Sequence, residues 1–498
     1  MKKTILLLLV CLIAIISVVG CSNSGNSKKQ GGDEIVYYNS QFPYKEGTGN
    51  KEAIEEVQQY ILEQTGIKVT AVIPQKGAEE QKLNTMLAAN EKIDIFIGEL
   101  SKYRSINAIM PLNDLIDKYG QDVVKAWPES AWDSLKDKDG KIWALPRAIS
   151  STPYPAMIRK DWLAKVGVNK LPSTVEEFEN ALQLFKEKDP AGKSSTVPLM
   201  CNLDGLRYSL LGAYTDNGVG NWLDEADNKV KPVVLHPGYL EWLKTLNRWY
   251  QNGYIYKEAF MAKPEQFTDL AVSNRVAASM SWYSQIFSSY AKIQNNAPDV
   301  DYQILTLTGS KGKTESLFPA PVQGYMITNN SKNSVEAMKF LNWGFSSYDN
   351  YLTTRYGIKD KHWSYIQKDE NTVIVDIVAN TGYDGEFATQ GYSSSPKQPV
   401  LSSKDPTKKA MYDYIQKHYY DYERVKIPFD GKVNYDLLRM DEKGFSRNDI
   451  NTMIEEATVK FIIGTRPLSE FDKFIDSLNA KGMNKYVDEL TAQYNETK

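Results

Sequence analysis

Few residues in this 498-residue chain are suited to breaking or making bonds, and many are suited to holding a ligand. The only histidines are His236, His362 and His418, and neither an H-E-x-x-H nor a G-x-S-x-G pattern occurs. Gly309-Ser310-Lys311-Gly312-Lys313-Thr314 is superficially a phosphate-binding loop, but the required first glycine is replaced by Leu307, and the stretch reads as a solvated turn. Hydrolysis of a glycosidic bond needs two carboxylates flanking it. Acidic residues are plentiful here, and no spacing singles out a pair. By contrast, 31 Tyr, 16 Phe and 10 Trp are more aromatic side chains than packing alone obviously requires, which suits recognition of a ligand.

The N-terminus carries a second kind of chemistry. Met1-Lys2-Lys3 is followed by an almost wholly apolar run from Ile5 to Val19, then Gly20 and Cys21. The run is shorter than a membrane-spanning helix requires and has the layout of a signal peptide over residues 1–20. Val18-Val19-Gly20-Cys21 resembles a bacterial lipobox, which implies lipid attachment at Cys21 and a protein held at the extracytoplasmic face of the cell membrane. Residues 21–32, rich in Ser, Asn, Gly and Lys, cannot bury enough apolar surface to fold and read as a flexible tether. With Cys11 in the signal and Cys21 lipidated, Cys201 stands alone, which leaves no intramolecular disulfide and no thiolate metal site.

Positive and negative side chains nearly balance at a net charge of -3, so no basic stripe is offered to nucleic acid. The elements that must position any binding residues alternate. Ile35 to Tyr38 reads as a strand, Lys51 to Gln64 as a helix ended by Gly66, Ile67 to Ile73 as a strand, Glu79 to Asn90 as a helix, and Ile93 to Ile97 as a strand. Such order predicts an α/β fold with a largely parallel sheet and ligand crevices beyond its carboxyl ends. Ser173 or Thr174 followed by Glu176 or Glu177 opens a further helix with Val175, Phe178, Leu182 and Phe185 on one face. Trp162, Trp242, Trp249 and Trp343 lie within helical patterns and read as packing residues.

Several segments in order carry a family resemblance: Ile61-Leu62-Glu63-Gln64-Thr65-Gly66-Ile67-Lys68-Val69, Asp94-Ile95-Phe96-Ile97-Gly98, Gly140-Lys141-Ile142-Trp143-Ala144-Leu145-Pro146-Arg147, and Ile158-Arg159-Lys160-Asp161-Trp162-Leu163. Leu171 to Phe178 and Gly464 to Asp472 add to it. The chain resembles the maltose-binding-like extracellular solute-binding proteins (family 1), in the large lipoprotein branch that serves ABC importers of Gram-positive bacteria. That resemblance implies a two-lobe periplasmic-binding-protein-like fold with interlobe hinge strands and a ligand cleft. It also implies an oligosaccharide or other small-molecule ligand, permease subunits as partners, a monomer, and no cofactor. The expected lobes are 33–150 with 306–400, and 151–305 with 401–498. The chain would pass to the second lobe just after Arg147 and return through Asp301 to Thr308.

Within that frame Trp282 and Tyr283 occupy the place of a cleft aromatic in the second lobe, and Trp143 and Arg147 lie where the first crossing strand begins. Arg147 is able to grip a carboxylate or vicinal hydroxyls bidentately, or to form a hinge salt bridge. Asn39, Glu99, Tyr154, Asp204, Trp222 and Tyr325 fall on loops or strand ends expected at the cleft rim. Many members of the branch carry a calcium loop after the helix that here ends Lys186-Glu187-Lys188-Asp189-Pro190. This chain continues Ala191-Gly192-Lys193-Ser194-Ser195-Thr196, which offers no carboxylate beyond Asp189, so no metal site is expected. Two other functions fit an exported chain of this kind: a secreted carbohydrate-active enzyme, and a lipoprotein that reports its ligand to a membrane sensor.

Overall fold

The computed structural model describes residues 33–497 apart from 42–49, 138, 321, 371, 390, 404–405, 432, 434, 437–438 and 441–442. The expected signal sequence, lipid-bearing Cys21 and tether therefore lie outside the described residues. No helix among the described residues is long and apolar enough to cross a membrane.

Two four-stranded sheets organise the molecule. In the first, Gln323–Ile327, Ile95–Glu99, Asp33–Tyr38 and Ile67–Val72 lie side by side in that order. The last three run parallel, and Gln323–Ile327 is antiparallel to its neighbour. Side chains alternate across the pleat. Tyr37, Ile95, Ile97 and Tyr325 enter one core, while Tyr38, Phe96 and Met326 enter another on the opposite face. Helix Lys51–Thr65 starts where the Asn50 side chain accepts from the Glu52 amide, and ends at Gly66, whose φ of 72° is the left-handed turn glycine tolerates. A small sheet of Trp363–Lys368, Thr372–Ile377 and Val400–Ser403 is attached to the first core through Trp363, Val373 and Val375.

The second sheet has the order Val197–Cys201, Val276–Met280, Ala156–Arg159, Tyr302–Leu305 and is mixed rather than parallel. Its larger core gathers Trp162, Phe178, Leu182, Phe185, Trp242 and Trp249. The C-terminal helices Arg447–Ile463, Phe471–Ala480 and Met483–Asn495 complete the same core with Phe461, Phe474 and Leu478.

The chain returns to the first sheet later than residue 306. Tyr302–Leu305 is an edge strand inside the second sheet, Leu307 is buried in the second core, and the Thr308–Gly309 and Gly312–Lys313 ribbon folds back against Ala213. A tight turn at Gly312, φ 91°, holds that ribbon on the second lobe.

Segments 147–154 and 315–323 pass between the cores, hydrogen-bonded to each other where Ser151 and Phe318 exchange backbone bonds of 2.9 and 2.8 Å. A third connection is the helix Pro406–Tyr414, which runs into a wide turn at Ile415–Tyr419. Its Tyr414 packs in the second lobe, whereas Tyr412, Tyr420 and Tyr422 pack on the first. Arg424 ties the crossings together. It pairs with the buried Glu315 of the second segment and donates to Thr152 Oγ1 of the first (3.2 Å) and to the His418 carbonyl (3.3 Å).

Candidate ligand cleft

At the carboxyl ends of the first sheet lies a cavity of about 380 Å³. Ser40, Gln41, Glu79, Glu99, Arg147 and Gln323 are among its lining residues. Topology places them there. Ser40 and Gln41 follow the strand ending at Tyr38, Glu99 ends the strand Ile95–Glu99, and Gln323 sits directly opposite Glu99 in the antiparallel register. Gly98 allows this rim to close, since a Cβ there would meet the Tyr103 ring at 2.3 Å. Arg147 Nη1 donates to Gln323 Oε1 at 3.4 Å, joining the start of the first crossing segment to the end of the second. Glu99 accepts from Ser101 Oγ at 2.6 Å, Glu79 accepts from the Gly77 amide at 2.9 Å, and Lys102 pairs with Glu80.

At the other end of the same crossing segments stands an aromatic cluster. Tyr154 stacks on Tyr208 with ring centroids 5.2 Å apart and planes at 11°. Trp282 meets Tyr154 edge-on at 5.3 Å, and Phe318 closes the group against Tyr208 at 5.0 Å and Trp282 at 5.9 Å. Tyr154 is buried, and Tyr208, Trp282 and Phe318 are half-buried.

Local sequence explains the position of Tyr208. The Asn202 side chain caps helix Leu203–Leu210 by accepting from the Gly205 amide at 2.7 Å. Gly205 lets that helix lie flush on the strand Val276–Met280, for a Cβ there would fall 1.9 Å from the Met280 carbonyl oxygen. Trp282 follows two residues after Met280. Burial pushes the Tyr208 phenol up to about 12 and that of Tyr154 higher still, so both are neutral donors at physiological pH.

The structure thus brings Glu99 and Arg147 into one pocket, and Tyr154 and Trp282 into one aromatic cluster. Asp204 is exposed on the helix that carries Tyr208, 3.7 Å from Arg207. Other expected rim residues lie elsewhere. Asn39 is fully buried, its amide donating to the Gly385 and Glu386 carbonyls at 3.1 Å each, and its oxygen accepting from the Gln41 amide. Through these bonds it fixes the chain at Gln41, on the rim.

Tyr325 has no exposed surface and packs between Tyr37 and Phe345. Tyr283 is buried and stacked on Tyr414 at 4.5 Å. Trp143 donates to Asp137 at 3.0 Å and carries the Arg104 guanidinium 5.1 Å from its ring, a contact internal to the first lobe. Trp222 sits on the separate ribbon Trp222–Asp224, edge-on to His236 at 4.7 Å.

Sequence reading alone did not single out Glu79, Gln323, Tyr208 and Phe318, which the structure places in the pocket or the aromatic cluster. The spacing of Asp204 and Tyr208, one helical turn apart, is the signal that would have found Tyr208.

The Asp189 carboxylate is engaged by its own loop. It accepts from the Ser194 amide (2.6 Å), the Thr196 amide (3.0 Å) and Thr196 Oγ1 (2.6 Å), which leaves it poorly placed to anchor a cation. Among the described residues no group of three or more His, Cys, Asp or Glu is arranged to hold a metal.

The family model described as bacterial extracellular solute-binding protein matches residues 46–347. A carbohydrate ABC transporter substrate-binding protein of Streptococcus pneumoniae is 26% identical over 391 residues, covering 76% of this chain and 75% of the relative. The polygalacturonan/rhamnogalacturonan-binding protein YtcQ of Bacillus subtilis is 22% identical, with 100% of both chains covered. Among solved structures, the HMO-binding, ABC-transporter-associated solute-binding protein of Bifidobacterium longum infantis superposes with a TM-score of 0.72 at 18% identity, covering 93% of this chain and 99% of that one. With two lobes, crossing segments and a rim of polar and aromatic side chains, the chain belongs to the bacterial extracellular solute-binding proteins.

Proposed function

We propose that this protein captures an oligosaccharide between its lobes and hands it, chemically intact, to the permease of an ABC importer, while lipid on Cys21 holds it at the outer face of the cell membrane. The observation that carries the reading is the placement of a polar pocket and an aromatic cluster at opposite ends of the same two crossing segments. Arg147 to Tyr154 spans at most about 25 Å when extended. A rotation about these segments is therefore enough to bring aromatic planes over hydroxyl-binding groups. Sugars present the complementary pair of surfaces, apolar ring faces and a polar hydroxyl edge.

Thermal unfolding of the purified chain against oligosaccharides, peptides and amino acids tests this, with product analysis on any hit. A ligand at 100 times its dissociation constant raises stability by about 2.7 kcal/mol. A shift with an intact oligosaccharide supports the proposal. Turnover of the sugar points to an enzyme, and a shift with peptides alone defeats the sugar reading.

A further inference from the structure

We infer that the cleft selects neutral oligosaccharides and rejects those built of uronic acids, a specificity that rests on the sugar-binding reading above. The pocket holds two carboxylates, Glu79 and Glu99, and one guanidinium, Arg147, for none of which the described residues supply a partner of opposite charge. Its remaining opposite charges, Lys102 and Glu80, neutralise each other.

A carboxylate accepts hydrogen bonds and does not donate them, and a guanidinium donates and does not accept. Sugar hydroxyls do both, so a neutral ring is able to satisfy Glu79, Glu99 and Arg147 together. A uronate carboxylate satisfies Arg147 alone and sets like charge against the two glutamates as the lobes close and water leaves.

The helix that begins at Glu79 strengthens the argument. The amino end of Glu79–Ala88 lies at this rim, and a helix amino end ordinarily attracts anions. Here Glu79 and Glu80 fill its first turn, so the chain's own carboxylates compensate the dipole that an acidic sugar would otherwise use. On the facing lobe, the Asp204 carboxylate lies close enough to Tyr154 and Tyr208 to raise their pKa values, and its cation, Arg207, is shared with Glu455. Both faces of the cleft are thus weighted towards negative charge. This separates the chain from the Bacillus subtilis relative whose name records binding of polygalacturonan.

Calorimetry on the purified chain decides the matter with linkage-matched trisaccharide pairs that differ only in oxidation of the C6 carbon. Suitable pairs are galactotriose with trigalacturonate, mannotriose with trimannuronate, and cellotriose with triglucuronate. The expected result is that at least one neutral member binds about tenfold or more tightly than its acidic twin, a gap set by like-charge contacts. The double variant Glu79→Gln with Glu99→Gln, checked for an unchanged unfolding temperature, is expected to narrow that gap by weakening the neutral sugar and admitting the acid. An acidic twin that binds as tightly as the neutral one, or a preference that survives the double variant, overturns the inference while leaving sugar binding intact. No binding by either member of any pair overturns the sugar reading itself, and this inference with it.

Discussion

Trp282 and Tyr283 are adjacent in sequence and differ in surroundings. The Trp282 ring is half-buried at the edge of the aromatic cluster, whereas Tyr283 is stacked face to face on Tyr414 inside the second lobe. Trp282→Ala should weaken ligand binding by roughly 10- to 100-fold in calorimetry, as loss of a stacking aromatic costs about 1–3 kcal/mol, and should leave the unfolding temperature nearly unchanged. Tyr283→Ala should instead destabilise the fold by about 3 kcal/mol in denaturant titrations.

His236 supplies a pH prediction. Its Nδ1 accepts from the Gly238 amide at 2.9 Å and so caps helix Pro237–Gln251, and burial holds its pKa below the ordinary 6.5 despite the nearby Asp216. A depressed histidine pKa contributes stability that is present above 6.5 and lost as pH falls through the lower folded value. Unfolding temperatures measured from pH 7 down to pH 4.5 should show this loss, and His236→Asn, which keeps a capping acceptor without a titrating ring, should reduce it.

Residue identity in the sequence was enough to nominate Arg147, Glu99, Tyr154 and Trp282. It could not reveal depth. Asn39 is covered by the loop around Gly385 and Glu386, and Tyr325 by Tyr37 and Phe345, and most of these neighbours are distant in sequence.

At the scale of elements the sequence was more legible, because periodicity and caps are local. The helix Val175–Lys188 starts as its capping residues predict, with Thr174 accepting from the Glu177 amide at 3.1 Å and Ser173 donating to the Glu177 carboxylate. What stayed hidden was the fit of one element on another. Helix Leu203–Leu210 carries Tyr208 to Tyr154 only because Gly205 admits backbone contact with Met280. Gly205→Val should push that helix off the sheet, lowering both stability and ligand affinity, with Tyr208 displaced from Tyr154 in a structure of the variant.

The loop after Val175–Lys188 invites a simpler test. Since the Asp189 carboxylate already serves the Ser194 and Thr196 amides, added calcium should leave the unfolding temperature unchanged, and Asp189→Ala should lower it by about 1 kcal/mol equivalent with or without calcium. A stabilisation by micromolar calcium that vanishes in the variant would defeat this account.

For the molecule as a whole, the two-lobe architecture was readable from the family resemblance, but the later crossings of the chain between lobes were not. The ribbon after Leu305 and the tyrosine-bearing third connection depend on contacts across hundreds of residues, which no local pattern encodes. Arg424 is the point where these connections meet. Arg424→Ala leaves the Glu315 carboxyl, which burial already raises to about 8, without its partner and should cost about 1–3 kcal/mol in stability, as for an unsatisfied buried polar group. Solution scattering of the unaltered protein should record compaction when a saturating ligand is added.

The interleaving of the lobes also has a consequence for biogenesis. The first sheet lacks its edge strand until Gln323–Ile327 emerges, and the second core lacks a wall until Phe461, Phe474 and Leu478 arrive near the end of the chain. The second lobe is therefore unable to complete its core on an early fragment, and the first has to wait for its returning edge strand. Assembly then waits on contacts of high sequence separation and is correspondingly slow.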